Sequence, residues 1–199
     1  MLVLYDSPVS GNCYKVRLLM SHLGIAHERR ELSVLDRSNR PAILGGLNPA
    51  LRVPTLVLED GRALAESNAI LWYIGDGTRY VPEDRYERAQ VLQWQFFEQY
   101  EHEPNIAVAR FSVRYSGKEV DQAALDTRMK GGYRALDAME KHLDGREFFV
   151  GDHYTLADIS LYAYTHVAHE GGFDLSRYPE IKRWIARVAD QPGHIRIEG

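Results

Sequence analysis

The stretch from Arg52 to Ser67, R-V-P-T-L-V-L-E-D-G-R-A-L-A-E-S, constrains the fold of this chain more than any other. Val53-Pro54 leads into the apolar run Thr55 to Leu58, which reads as a strand. Glu59-Asp60-Gly61 carries the Asp-Gly signal of a hairpin turn. A second short run ends in Glu66-Ser67, and Ala69, Ile70, Trp72 and Tyr73 follow in a helical pattern. Ser67 falls where an N-cap belongs, with Glu66 just outside the helix. Backbone N–H groups and the positive end of a helix dipole gather there, so the position favours a carboxylate. An amine beside that carboxylate meets Glu66. A ligand carrying both groups is an amino acid or a γ-glutamyl group.

The segments before this stretch complete a small sheet domain. Leu2 to Tyr5 reads as a buried strand and Ser7 to Gly11 as a loop. Val16, Leu19, Met20 and Leu23 then recur at helical spacing, with Gly24 as a stop. His27 to Leu32 is polar and strand-like, which suits a sheet edge. Pro41 to Leu47 reads as a short helix before Asn48-Pro49. The resulting order, β-α-β and then β-β-α, predicts a mixed sheet with helices packed on it.

Everything beyond the turn-rich stretch Asp76 to Asp84 reads as helix. The expected domains are therefore 1–76 and 85–199, joined by a linker at 77–84. Arg85 to about Val113 forms one helical segment with Pro104 inside it, where a kink is expected. Leu125, Met129, Gly132, Leu136, Met139 and Leu143 make a core-facing stripe. Thr155-Leu156-Ala157-Asp158 is a capping box with Asp in its last position, and a final helix runs from about Pro179 to Ala189.

Bulk properties exclude several classes. With 199 residues, 45% of them hydrophobic and 26% charged, the chain can build one large or two small cores. A net charge of −4 argues against nucleic acid as a partner. No apolar run approaches the ~20 residues that span a bilayer. The first residues, Met1 to Asp6, do not read as a secretory signal. The lone cysteine, Cys13, makes a reducing, cytoplasmic compartment the expectation. The scattered histidines show no ligand spacing, so no metal is expected.

A mixed-sheet domain followed by an all-helical one, carrying V-P-T-L, then E-S, then G-D-H-Y-T-L-A-D, resembles the cytosolic glutathione S-transferase family over nearly the whole chain. The resemblance implies a thioredoxin-like N-terminal domain, an all-helical C-terminal domain and a homodimer. In the serine-type branches (bacterial, theta- or phi-like) the catalytic serine lies six residues before the valine of the first helix's R-V or K-V pair, which is Ser10 before Val16 here. A hydroxyl donating to sulfur at a helix N-terminus favours the thiolate, and Asn12, in the same turn, supplies a second donor. Both residues also suit plain capping. Cys13 and Tyr5 are the rivals: the first lies inside the helix, and the second is a strand aromatic.

The resemblance further implies a cis Val53-Pro54 bond that turns Val53's backbone toward the cysteinyl part of glutathione. It places Glu66 and Ser67 on the γ-glutamyl group, and Arg52 and Arg40 on the glycyl carboxylate. The chain departs from the family pattern at Leu51, where glycine is common, and this bears on the path of that loop. Thr155 and Asp158 read as folding residues. Glu101, His102, Asn105 and Arg110 are candidate walls of a second-substrate pocket between the domains, and none of them is read as catalytic. The function implied is detoxification by transfer of glutathione, as co-substrate, to a small hydrophobic electrophile. The alternative is a scaffold or ligand-binding protein of the same fold.

Overall fold

The computed structural model describes residues 1–198. Two compact units emerge, one built on a four-stranded sheet and one built of helices. In the first, β1 (Leu2–Asp6) lies inside the sheet between β2 (His27–Glu31), which runs parallel to it, and β3 (Thr55–Val57), which runs antiparallel. The outer strand β4 (Ala63–Ala65) completes the order β2-β1-β3-β4. The charged sequence H-E-R-R-E occupies one edge, where charged side chains discourage further pairing.

Alternation along the strands divides two apolar layers. Leu4 and its register partner Leu56 pack with Val16, Met20 and Ile70 on one face. These residues bring α1 (Gly11–His22) and α3 (Ser67–Gly75) onto that face. Tyr5 packs on the opposite face with Leu32 and Leu44, and Leu44 belongs to α2 (Arg40–Leu44). Hence α1 and α3 lie side by side with their N-termini toward the end of the sheet where β1 stops and β3 starts.

Residues 192–198 fold back onto this sheet unit, whereas the sequence assigns them to the helical part. The reason lies in donors along α1. Ser21 Oγ donates to the Gly193 carbonyl at 2.7 Å, Tyr14 Oη to the Ile195 carbonyl at 2.7 Å, and Arg17 to the Ile197 carbonyl. Nothing in a polar tail's periodicity reveals such bonds.

The second unit spans Thr78–Gln191. Asp84 caps α4 (Arg85–Phe97) by accepting from the Tyr86 and Glu87 amides. The expected single helix then changes pitch: Glu98–His102 and Phe111–Tyr115 are π-helical and flank α5 (Glu103–Arg110). Pro104 sits in the first turn of α5, directly after the first wide turn, where its missing N–H costs no ladder bond. The stripe on α6 (Gln122–Leu143) is buried from Gly131 onward, while Leu125 and Met129 are half-buried. Gly132 is needed there, because a Cβ would lie 2.4 Å from the Phe173 ring. All of α7 (Leu156–Thr165) is buried, and α8 (Pro179–Ala189) packs against it through Trp184. Among the described residues, no helix is long and apolar enough to cross a membrane.

Candidate functional site

Three strand ends meet at one end of the sheet. Thr55 lies opposite both Tyr5 and Ala65 in register. The loop after β1, the Val53-Pro54 pair before β3 and the Glu66-Ser67 pair after β4 are therefore neighbours. Every residue expected to bind or activate glutathione belongs to this one unit, whereas the candidate second-pocket residues Glu101, His102, Asn105 and Arg110 lie in the other.

Ser10 is the N-cap of α1, with φ −82° and ψ 121°, and its Oγ accepts from the Cys13 amide at 3.3 Å. Capping uses one lone pair of the hydroxyl. The O–H remains a donor, so capping and donation to a ligand sulfur are compatible. Asn12, in the first turn of α1, receives Lys15 Nζ on its Oδ1 at 2.8 Å and Ser67 Oγ on the same oxygen at 3.3 Å. The turn that carries Ser10 is thus tied to the start of α3.

The Val53-Pro54 bond is cis, as expected from the sequence. The loop around it is braced by the buried Asn48, whose Nδ2 donates to the Arg52 carbonyl and to Thr55 Oγ1, both at 3.0 Å. Thr55 Oγ1 in turn donates to the Arg52 carbonyl at 2.8 Å. Val53 lies beyond the sheet ladder, which begins at Thr55. Leu51 adopts φ 54°, the left-handed conformation that glycine takes most easily. The loop keeps the path a glycine would give it, and the leucine side chain packs on the Tyr5–Leu32–Leu44 cluster.

Arg52 is exposed, whereas Arg40 is buried, donating to the Leu51 carbonyl at 3.0 Å and the Ser33 carbonyl at 2.8 Å. Arg40 is thus a strut of the loop, and its buried Nε lacks a hydrogen-bond partner. Burial, and then the nearby cations Arg37 and Arg52, hold its guanidinium below its ordinary value. An anion among these three arginines relieves that strain in charge. Arg37 is an addition that sequence reading missed.

The start of α3 differs by one residue from expectation. Glu66 holds the N-cap position and Ser67 is the first helical residue. The reason is the backbone: Glu66 has φ 69° and ψ 117°, a sparsely populated conformation for a residue with a side chain. Its carboxylate makes no capping bond and stays exposed. Ser67 is buried and turns its hydroxyl to Asn12 and Lys15 instead of to its own helix. A non-glycine residue held in such a conformation at a helix N-terminus is a candidate for function.

Cys13 and Tyr5 fit their packing roles. Cys13 is fully buried, and burial, reinforced by Asp6, pushes its thiol up to about 12, so it stays protonated near neutral pH. The Tyr5 hydroxyl accepts from Arg30 at 3.1 Å in the sheet's other layer. In the helical unit, His102 is fully buried with Nε2 2.9 Å from Thr165 Oγ1, and buried Arg110 donates to Glu170 at 2.7 Å. Glu101 is exposed and Asn105 half-buried, with Asn105 donating to the Glu101 carbonyl.

Comparison with known proteins assigns the same two units. Residues 9–76 match the family model described as glutathione S-transferase, N-terminal domain, and residues 92–192 match glutathione S-transferase, C-terminal domain. The chain is 31% identical to glutathione S-transferase 2 of Anopheles gambiae, covering 97% of this chain and 93% of that one. Among solved structures it resembles a glutathione S-transferase from Pseudomonas fluorescens, with 49% identity, a TM-score of 0.94 and 98% of each chain covered. It also resembles a possible glutathione S-transferase from Rhodopseudomonas palustris, with 42% identity, a TM-score of 0.95, and 100% of this chain and 90% of that one covered.

Proposed function

The chain belongs to the glutathione S-transferase family and is a glutathione transferase, and from that premise we propose how its sheet unit holds glutathione and activates the sulfur. The observation that carries the reading is the meeting of Ser10, Asn12, Val53-Pro54 and Glu66-Ser67 at one end of the sheet. The γ-glutamyl carboxylate sits at the N-terminus of α3 against Ser67, where helix amides favour an anion, and its ammonium meets Glu66. The cysteinyl segment pairs with the Val53 backbone as an added strand. The glycyl carboxylate lies among Arg52, Arg40 and Arg37. Arg40 contributes mainly by holding the loop and by its charge, because its terminal nitrogens already serve carbonyls.

This pose leaves the thiol at the start of α1. A free thiol has a pKa of about 8.5, so its thiolate is a minority at neutral pH. Ser10 O–H and Asn12 N–H donate to the sulfur, and the α1 dipole adds to their effect. The thiolate then attacks an electrophilic carbon of a small hydrophobic substrate. A C–S bond forms, the leaving group departs with the electron pair, and the product is a thioether. The chain's own contribution is positioning and charge stabilisation. The reading places the reaction among cytoplasmic detoxification steps.

The test is turnover of glutathione with an activated aryl chloride. Saturable, glutathione-dependent chloride release is expected. Glutathione binding by calorimetry without any turnover would contradict the reading and leave a scaffold. Tight binding of apolar ligands independent of glutathione would leave a carrier.

The proposal includes a homodimer. Leu92, Phe96 and Tyr100 follow each other at four-residue steps along α4 and its π-helical end, and stand 40%, 70% and 83% exposed. Such a row is covered in solution by a second copy. Sedimentation at twice the chain mass is expected, and Phe96→Glu is expected to shift it to one chain mass. A wild-type protein sedimenting at monomer mass contradicts the dimer.

A further inference from the structure

Arg17 is buried in the middle of α1, and the chemistry above gives it no part. Burying a guanidinium is expensive unless a carboxylate and further acceptors meet it. Arg17 has both. Nη1 donates to Asp6 Oδ2 at 3.1 Å. Nη2 donates to the Pro8 carbonyl at 3.2 Å, and also to the Ile197 carbonyl in the segment that folds back onto the sheet unit. Asp6 ends β1, is itself fully buried, and accepts on the same Oδ2 from Arg29 Nε at 2.9 Å.

The turn that presents Ser10 is what this fork grips. β1 ends at Asp6 and α1 starts at Gly11, so residues 7–10 make the whole connection. The Ser10 amide donates to the Ser7 carbonyl at 3.1 Å, which closes a turn with Pro8 and Val9 at its two central positions. Such turns differ chiefly in the rotation of their central peptide, here Pro8–Val9. The oxygen of that peptide is the Pro8 carbonyl that Arg17 holds. Its rotation sets the direction in which the chain enters Ser10, and hence where the hydroxyl stands.

We propose that Arg17 is a positioning residue for the serine that activates the sulfur: anchored by Asp6 and by the Ile197 carbonyl, it fixes the Pro8–Val9 peptide and with it the Ser10 hydroxyl. This inference rests on the thiolate reading given under the proposed function. It also gives the return of residues 192–198 to the sheet unit a purpose, because that segment supplies an acceptor to the same nitrogen that holds the turn. Arg17 is not among the residues that grip either end of glutathione in the pose above, so its loss is felt at the sulfur and not in affinity for the peptide.

The test compares wild type, Arg17→Lys, Ser10→Ala and the double variant, each checked for folding by circular dichroism. Lysine keeps the charge beside Asp6 but lacks the planar fork that reaches several acceptors at once. Three quantities are read: the thiol pKa of bound glutathione, kcat/KM for an aryl chloride at neutral pH, and the Kd of S-methylglutathione, whose sulfur carries no proton. Arg17→Lys is expected to raise the bound thiol pKa by about half to one unit and to lower kcat/KM by about fivefold to tenfold, with the S-methylglutathione Kd within about twofold of wild type. In the Ser10→Ala background the same substitution is expected to move the thiol pKa no further, because both changes act through one hydroxyl. Arg17→Gln gives the same comparison should the lysine variant fail to fold. An Arg17 variant that folds with the wild-type thiol pKa overturns the inference while leaving the thiolate reading intact. A rise in thiol pKa that persists undiminished in the Ser10→Ala background overturns the route through Ser10. S-methylglutathione binding weakened as much as kcat/KM overturns the positioning role and leaves Arg17 a residue of the fold. A wild-type protein with no depression of the bound thiol pKa overturns the thiolate reading, and the inference with it.

Discussion

Replacing Asp158 with alanine is expected to cost about 4 kcal/mol of stability, the price of stranding several buried donors at once. Asp158 is fully buried. Its Oδ1 accepts from the Phe149 amide at 3.1 Å and from Trp184 Nε1 at 2.9 Å. Its Oδ2 accepts from the Thr155 amide at 2.9 Å and Thr155 Oγ1 at 3.1 Å. One carboxylate thus ties the N-cap of α7 to the 148–150 segment and to α8. Truncation leaves all four donors in a dry site. In a chain of this size the loss corresponds to a fall of about 10 °C in Tm. A loss near 1 kcal/mol would reduce Asp158 to an ordinary capping residue.

The same carboxyl carries a pH signature. Burial pushes it up to about 6, against the pull of its hydrogen-bond donors. The unfolded carboxyl titrates near about 4. The folded state therefore binds the extra proton in between. This contribution to stability is complete below about 4 and is lost as pH rises through about 6. Asp158→Asn has no such group, so the stability of wild type relative to Asp158→Asn is expected to fall between pH 4 and pH 7. Denaturant unfolding of both proteins at the two pH values measures it.

Ser10→Ala is expected to lower kcat/KM by about 100-fold, the usual scale for removing one preorganised donor to a developing or stored anion. The substitution also removes the acceptor for the Cys13 amide, a capping loss of about 1 kcal/mol. The two effects separate cleanly. A residue that only caps α1 would show the stability loss with near-normal turnover. Ser10→Thr keeps a hydroxyl and is expected to retain much more activity than Ser10→Ala.

Much of this was legible in the sequence because it rests on local chemistry. The Asp-Gly turn, the alternation around Leu4 and Leu56 and the capping box at Thr155 each depend on neighbours a few residues apart. What stayed hidden depends on distant partners. Nothing in the sequence pairs Lys15 with Ser67, 52 residues on, and only folding brings them together. Arg40 reads as a partner for the glycyl carboxylate, and only the path of the Leu51 loop shows it as a strut. The shift at Glu66 comes from a backbone conformation that residue preferences argue against. The π-helical turns carry no periodic signal apart from Pro104. The departure at Leu51 was visible as a pattern, while its conformational meaning, a left-handed leucine, was not.

The most direct measurement is a pH titration of the thiolate absorbance of bound glutathione, in wild type and in Ser10→Ala. In wild type the midpoint is expected one to two units below the free value of about 8.5. In Ser10→Ala it is expected to return toward that value. A wild-type midpoint at the free value, or a depressed midpoint that survives in Ser10→Ala, would contradict activation of the sulfur by Ser10.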